Sequence, residues 1–134
     1  MEKMEHKICL DTDFLVNLLR NKEEEVQFVE EKEDNAIFAT TYISLFELYY
    51  GAFKSNKQEN NLKAIEEISW RVHLLNLSEK SAREAGRTLS ILERKGELID
   101  FRDLLIGTIA KTNDFCIKTN NIKHFNKIEG LKIV

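Results

Sequence analysis

Residues 7–13 read Lys7-Ile8-Cys9-Leu10-Asp11-Thr12-Asp13, and the reading of this stretch decides the fold. Three consecutive apolar residues without alternation suit a strand covered on both faces. The run then stops at an acid. Similar short runs recur as Ala36-Ile37-Phe38-Ala39, Val72-His73-Leu74-Leu75, Phe115-Cys116-Ile117 and Leu131-Lys132-Ile133-Val134. Between them lie helical patterns over 14–20, 23–32, 43–53, 59–70, 79–95 and 104–112. Strands alternating with helices imply parallel strands joined by helical crossovers, hence an α/β architecture. The longest helix is bounded by Ser78, able to cap its start, and Gly96, able to close its end, with Ala82, Ala85, Leu89 and Leu92 as its apolar stripe. No linker, repeat or low-complexity stretch divides the chain, so residues 1–134 are expected to form one domain.

Composition excludes several classes. With 43% hydrophobic residues in 134, the chain is too apolar for a disordered segment. No run approaches the roughly 18 apolar residues of a membrane span. Met1 to Lys7 lacks an apolar signal-peptide core, so a cytoplasmic location is expected. Cys9 and Cys116 each sit in an apolar triplet and are expected to be reduced and buried. Twenty Lys and Arg against 23 Asp and Glu give a net charge of −3. Bulk electrostatics therefore cannot hold nucleic acid, and such an activity needs a metal at a carboxylate site or a local basic strip. The segment 20–34 is acidic and 111–134 is lysine-rich. Acids in polar runs, such as Glu23-Glu24-Glu25, read as a solvated helix face.

Three acids do not fit that reading. Asp11 ends the first apolar strand. Glu47 is the only charged residue between Thr41 and Phe53, and Asp103 opens the apolar run Leu104-Leu105-Ile106-Gly107. A carboxylate among apolar residues is costly unless it is hydrogen-bonded, paired or bound to a cation. Each has a local explanation. Asp11 or Asp13 can cap the helix near Phe14, Asp100 and Asp103 have capping-box spacing, and Glu47 can pair with a lysine or arginine. Taken together, strand ends and helix starts of an open parallel sheet converge on one crevice. Oxygen ligands gathered there, without paired Cys or His, suit Mg²⁺ or Mn²⁺. Isolated glycines provide no phosphate-cradling loop. His6, His73 and His124 are scattered, and lone histidines are more often surface or core residues than ligands.

The blocks Asp11-Thr12-Asp13, Ser44 with Glu47-Leu48-Tyr49-Tyr50-Gly51-Ala52, Gly96 to Asp103-Leu104-Leu105-Ile106, and Thr119-Asn120-Asn121 with His124-Phe125 resemble the PIN-domain family, in its VapC toxin branch. The order and spacing of four blocks span nearly the whole chain. The resemblance implies a three-layer α/β/α sandwich with a five-stranded parallel sheet and a Mg²⁺- or Mn²⁺-dependent endoribonuclease. Asp11 and Asp103 correspond to the main metal ligands and Glu47 to the third acid. Three positions depart from the family pattern. Asp13 stands where asparagine is common; it either adds charge to the metal site or caps the next helix, and the cap is the expected part. Asn121 stands where an aspartate can occur, and it offers a neutral carbonyl oxygen or orients a water. His124 likewise stands where an acid is common.

The hydroxyls of Thr12, Ser44 and Thr119 are candidates for positioning waters or phosphate oxygens, and Lys118, Lys123 and Lys127 for guiding an RNA backbone. Tyr49, Tyr50, Phe53 and Trp70 sit at helical spacing, which usually marks core or interface. The expected function is that of a ribonuclease toxin. Its partners would be an RNA substrate, a small antitoxin protein, and a second copy of the chain. The alternative is a catalytically weak protein on the same fold that binds RNA or a partner without cutting.

Overall fold

The computed structural model describes residues 6–134, so most of the N-terminal stretch Met1 to Lys7 lies outside the described residues. The chain runs β1 (His6–Leu10), α1 (Thr12–Leu19), α2 (Glu23–Lys32), β2 (Ala36–Thr41), α3 (Tyr42–Lys54), α4 (Gln58–Arg71), β3 (His73–Leu75), α5 (Glu79–Arg94), α6 (Phe101–Thr112), β4 (Cys116–Lys118) and α7 (Ile122–Phe125). The strands form one parallel sheet in the order β3-β2-β1-β4. In register, Ile8 faces Phe38 and Cys116, while Cys9 faces Ala39 and Ile117.

Because successive strand residues point to opposite faces, the register divides the core in two. Ile8 and Leu10 join Phe14, Leu15, Leu48, Ala52 and Ile65 under α1, α3 and α4. Ile117, on the other face, joins Ile106, Phe125 and Ile128 under α6 and α7. Helices therefore cover both faces, which explains why β1 reads as an unbroken apolar run.

The sheet among the described residues has four strands, not five. The expected fifth, over 131–134, is reduced to one parallel bridge between Ile117 and Ile133. Its hydrogen bonds are Ile117 N–H to the Lys132 carbonyl at 2.8 Å and Val134 N–H to the Ile117 carbonyl at 2.9 Å. The cause is its neighbour: β4 is three residues long, and only its central residue remains to be paired. Gly130, at φ +83°, delivers the chain to that point.

Helix ends follow local chemistry. Ser78 accepts from the Ser81 N–H at 3.1 Å. At the other end Gly96, at φ +71°, donates to the Glu93 carbonyl while Glu97 donates to that of Leu92, a Schellman closure. Gly107 has a different purpose. A methyl group there would overlap the Ile128 side chain, so its absence lets the segment after β4 lie directly on α6.

Candidate functional site

The strands all end at one edge of the sheet, and the helices start there. Asp11 follows β1 directly and caps α1, its Oδ1 accepting the Phe14 N–H at 2.8 Å. Its Oδ2 accepts the Thr119 hydroxyl from the segment after β4. Asp13 is not the cap of α1. It lies in the first turn, exposed, because Asp11 already satisfies the N-terminal amide. Thr41 caps α3, accepting from the Ser44 N–H at 3.0 Å, which begins α3 immediately after β2 and places Glu47 one turn in. Asp100 caps α6, accepting from the N–H groups of Arg102 (2.9 Å) and Asp103 (3.4 Å). Asp103 does not reach back as a capping box would. Its Oδ2 meets His124 Nδ1 at 2.8 Å instead.

The three singled-out acids lie along this edge, with Asp103 near enough to act on both Asp11 and Glu47. Asp11 is only 2% exposed, and its pKa is raised to about 6, chiefly because burial penalises the charged form. The Thr119 and Phe14 hydrogen bonds oppose that rise, whereas the neighbouring charges of Asp13 and Asp103 add to it. Glu47 is also raised, first by desolvation, with Asp103 and Asp100 adding repulsion against the lowering effects of Thr12 and Arg102. Thr12 Oγ1 lies 2.9 Å from Glu47 Oε1 and 3.0 Å from Ser44 Oγ. The hydroxyl thus links the end of β1 to α3. Arg102 Nη1 stands 3.7 Å from Glu47 Oε2, so the expected pairing of Glu47 with a basic residue is also present.

The fourth block closes the site. Asn121 Nδ2 donates to Asp13 Oδ2, and the Asn121 N–H donates to Thr119 Oγ1 at 2.8 Å. Two of the departures from the family pattern are therefore in contact, an aspartate and an asparagine exchanged across one hydrogen bond. His124 is not a lone histidine, since α7 brings it to Asp103. Of the lysines, Lys123 is exposed on α7. Lys127 donates to the Leu98 carbonyl. Lys118 holds its Nζ 4.7 Å from the Phe28 ring centroid, in a cavity of about 240 Å³ that Glu24, Glu25, Glu31 and Asn120 also line.

The donor set is chemically suited to a hard divalent cation: carboxylates backed by hydroxyls, with no thiolate nearby. Among the described residues no three His, Cys, Asp or Glu side chains close on a single point. Glu47 is engaged by Thr12 and Arg102, and Asp103 by His124. A shared cation would draw these two acids from the partners they now hold.

Two sequence expectations change outside the cluster. Cys9 is buried and its thiol pKa pushed far up by desolvation, but Cys116 is half-buried and its thiol contacts the Lys7 carbonyl at 3.1 Å. Both are free. Glu25, part of an acidic run read as solvated, is 5% exposed. The signal for it was in the sequence: Glu25, Phe28 and Val29 share one helical face, and the latter two pack on the core.

The family profile of the PIN domain matches residues 8–131. The tRNA(fMet)-specific endonuclease VapC of Salmonella typhimurium is 30% identical over 127 residues, covering 95% of this chain and 96% of that protein. A ribonuclease VapC2 of Rickettsia felis is 36% identical over 97 residues, 72% of each chain. The crystal structure of VapBC2 from Rickettsia felis, bound to a DNA fragment from their promoter, superposes with a TM-score of 0.89 at 30% identity, covering 96% of this chain and 97% of that one. Profile, relatives and fold agree with the residue blocks, and the chain belongs to the PIN-domain family.

Proposed function

We propose that this chain is a Mg²⁺- or Mn²⁺-dependent endoribonuclease, the toxin of a type II toxin–antitoxin pair, acting in the cytoplasm and restrained by a small antitoxin protein. The observation that carries the reading is that Asp11, Glu47 and Asp103 line one sheet edge, with Asp103 within electrostatic reach of both Asp11 and Glu47. The names of its relatives, a ribonuclease and a tRNA-specific endonuclease, support the same direction.

Asp11, Glu47 and Asp103 are the residues that would hold the cation. When bound, it supplies charge neutralisation at the phosphate and acidifies a water. The remaining roles belong to the protein. Thr119 and the Phe14 amide fix both oxygens of Asp11. Thr12 and Ser44 set the position of Glu47. Asn121, held by Asp13 and Thr119, is the residue that would orient a water or a phosphate oxygen. Lys123 is the cation assigned to the RNA backbone, whereas Lys118 is engaged with Phe28 of α2. A homodimer belongs to the same proposal, because Tyr42, Phe46, Tyr50 and Phe53 leave an exposed aromatic stripe on α3 that favours a cover.

The test is cleavage of labelled RNA by the purified chain, with Mg²⁺ and with a chelator. Cleavage should require the metal and vanish in Asp11→Asn and Asp103→Asn, with circular dichroism unchanged. Cutting in the presence of chelator would refute the metal role. RNA binding without cutting in Mg²⁺ and Mn²⁺ alike would favour the binding-protein alternative.

A further inference from the structure

The acidic helix α2 lies apart from the carboxylate cluster, yet one of its glutamates is buried. Glu23 and Glu24 are exposed, whereas Glu25 is 5% exposed and points into the body of the protein. Among the described residues it has no basic side chain within ion-pair distance. A buried carboxylate in that position requires hydrogen bonds, and Glu25 has two. Its Oε2 accepts Asn17 Nδ2 at 3.0 Å and Asn120 Nδ2 at 3.2 Å. These donors come from α1 and from the segment after β4, 95 residues away in sequence. Both bonds favour the ionised form, and the Glu25 pKa is lowered, with the Asn17 bond the largest cause.

Asn120 sits between the two residues that touch the candidate site. Thr119 donates to Asp11, and Asn121 donates to Asp13. The segment is three residues of irregular backbone between β4 and α7. Its outward-facing middle residue is the only one tied to α2. We propose that Glu25 is a positioning residue: it anchors Asn120 and so holds Thr119 and Asn121 against Asp11 and Asp13. The same oxygen, through Asn17, fixes this anchor to α1, the helix that Asp11 caps. Both sides of the Thr119–Asp11 contact are thereby referred to one carboxylate. The inference rests on the proposed nuclease reading for its kinetic effect but not for its structural one.

The experiment compares wild type with Glu25→Ala, Glu25→Gln, Asn120→Ala and the Glu25→Ala/Asn120→Ala pair, by RNA cleavage in Mg²⁺ and by amide NMR. Loss of an outlying support of this kind typically costs roughly 10–100-fold in activity. Glu25→Ala and Asn120→Ala should each lower kcat by about that factor with KM little changed. The double variant should be no worse than the poorer single one, because one contact is removed either way. Glu25→Gln, whose Oε1 can accept both amides, should restore most of the rate. In the spectra, Glu25→Ala should move the Thr119 and Asn121 amide signals while those of β2 and α5 stay in place. A fall in melting temperature with kcat and these signals unchanged would overturn the proposal and leave Glu25 a purely structural group. Additive losses in the double variant would overturn it too. If wild type cuts no RNA, the nuclease reading fails alone, and the amide shifts still decide whether Glu25 orders the segment.

Discussion

Replacing Asp11 by asparagine should stabilise the metal-free protein at neutral pH while removing its activity. Burial raises the Asp11 pKa to about 6, against about 3.9 for an unfolded aspartate. The folded state therefore binds this proton more tightly than the unfolded chain does. Below pH 3.9 both states are protonated and the group costs nothing. Stability falls as pH rises from 3.9 to 6, and above 6 the full penalty remains: about 2 pKa units, or roughly 3 kcal/mol. Asparagine is neutral throughout, so it escapes that penalty. Its Oδ1 still accepts the Phe14 N–H, and its Nδ2 can donate to Thr119 Oγ1. A charge-assisted bond becomes a neutral one, at a cost of about 1 kcal/mol. The net gain is roughly 2 kcal/mol at pH 7.5, which is on the order of 5–10 °C in melting temperature for a chain of this size. Melting curves from pH 4 to 8 without metal should show wild type and variant converging near pH 4, separating as pH rises to about 6, and staying apart above it. Excess Mg²⁺ should reverse the ranking, since only the wild type gains by binding, about 2.7 kcal/mol at a hundred times Kd. A variant less stable than wild type at pH 7.5, or a difference that does not change with pH, would refute the reasoning that burial penalises the ionised Asp11 carboxylate in the metal-free site.

Two further outcomes follow from single contacts. Glu47→Gln should leave the metal-free protein as stable or slightly more so, since burial and the charges of Asp103 and Asp100 raise its pKa. It should also reduce stabilisation by Mg²⁺ in thermal shift. A marked loss of apo stability, with Mg²⁺ stabilising both forms equally, would make Glu47 a structural partner of Arg102. Gly107→Ala should destabilise by about 1–3 kcal/mol in denaturant unfolding, although alanine is the better helix former, because the methyl overlaps Ile128. A neutral or stabilising result would mean that the 125–131 segment is free to shift outward.

Much of this was legible beforehand, for identifiable reasons. The apolar triplets around Cys9 and Cys116 marked strands because both faces of the sheet are covered. Asp11, Glu47 and Asp103 stood out because apolar neighbours made each charge anomalous. What was not legible depended on distance along the chain. Nothing near His124 announces Asp103, which lies 21 residues away and meets it only through α7, a helix too short to leave a period. The strand over 131–134 has a strand's pattern, but how much of it pairs is set by the length of β4. Glu25 is the instructive miss. A run of three acids reads as solvent-facing, yet successive helical residues diverge by about 100°, and one of the three had to share the face of Phe28 and Val29.

The contact between Asp13 and Asn121 yields the most specific test of the site. In the family pattern the first block commonly ends in asparagine and the fourth often carries an acid; here the two residue types are exchanged. The structure places them in one hydrogen bond, Asn121 Nδ2 donating to Asp13 Oδ2. An exchange across a bond conserves both the bond and the local charge, whereas either single change does not. Asp13→Asn removes a negative charge that adds to the Asp11 pKa, so it should weaken stabilisation by Mg²⁺ and lower cleavage. Asn121→Asp sets two carboxylates at hydrogen-bond distance, where they cannot share ionisation freely. It should destabilise the metal-free protein, the more so as pH rises and both carboxylates ionise. The double variant Asp13→Asn/Asn121→Asp restores one acid and one amide and should recover Mg²⁺ stabilisation and activity to within about an order of magnitude of wild type. Thermal shift against Mg²⁺ and cleavage rate, measured on all four proteins, complete the cycle. Double-variant losses equal to the sum of the singles would mean that the two residues act independently and that their contact is incidental to the site.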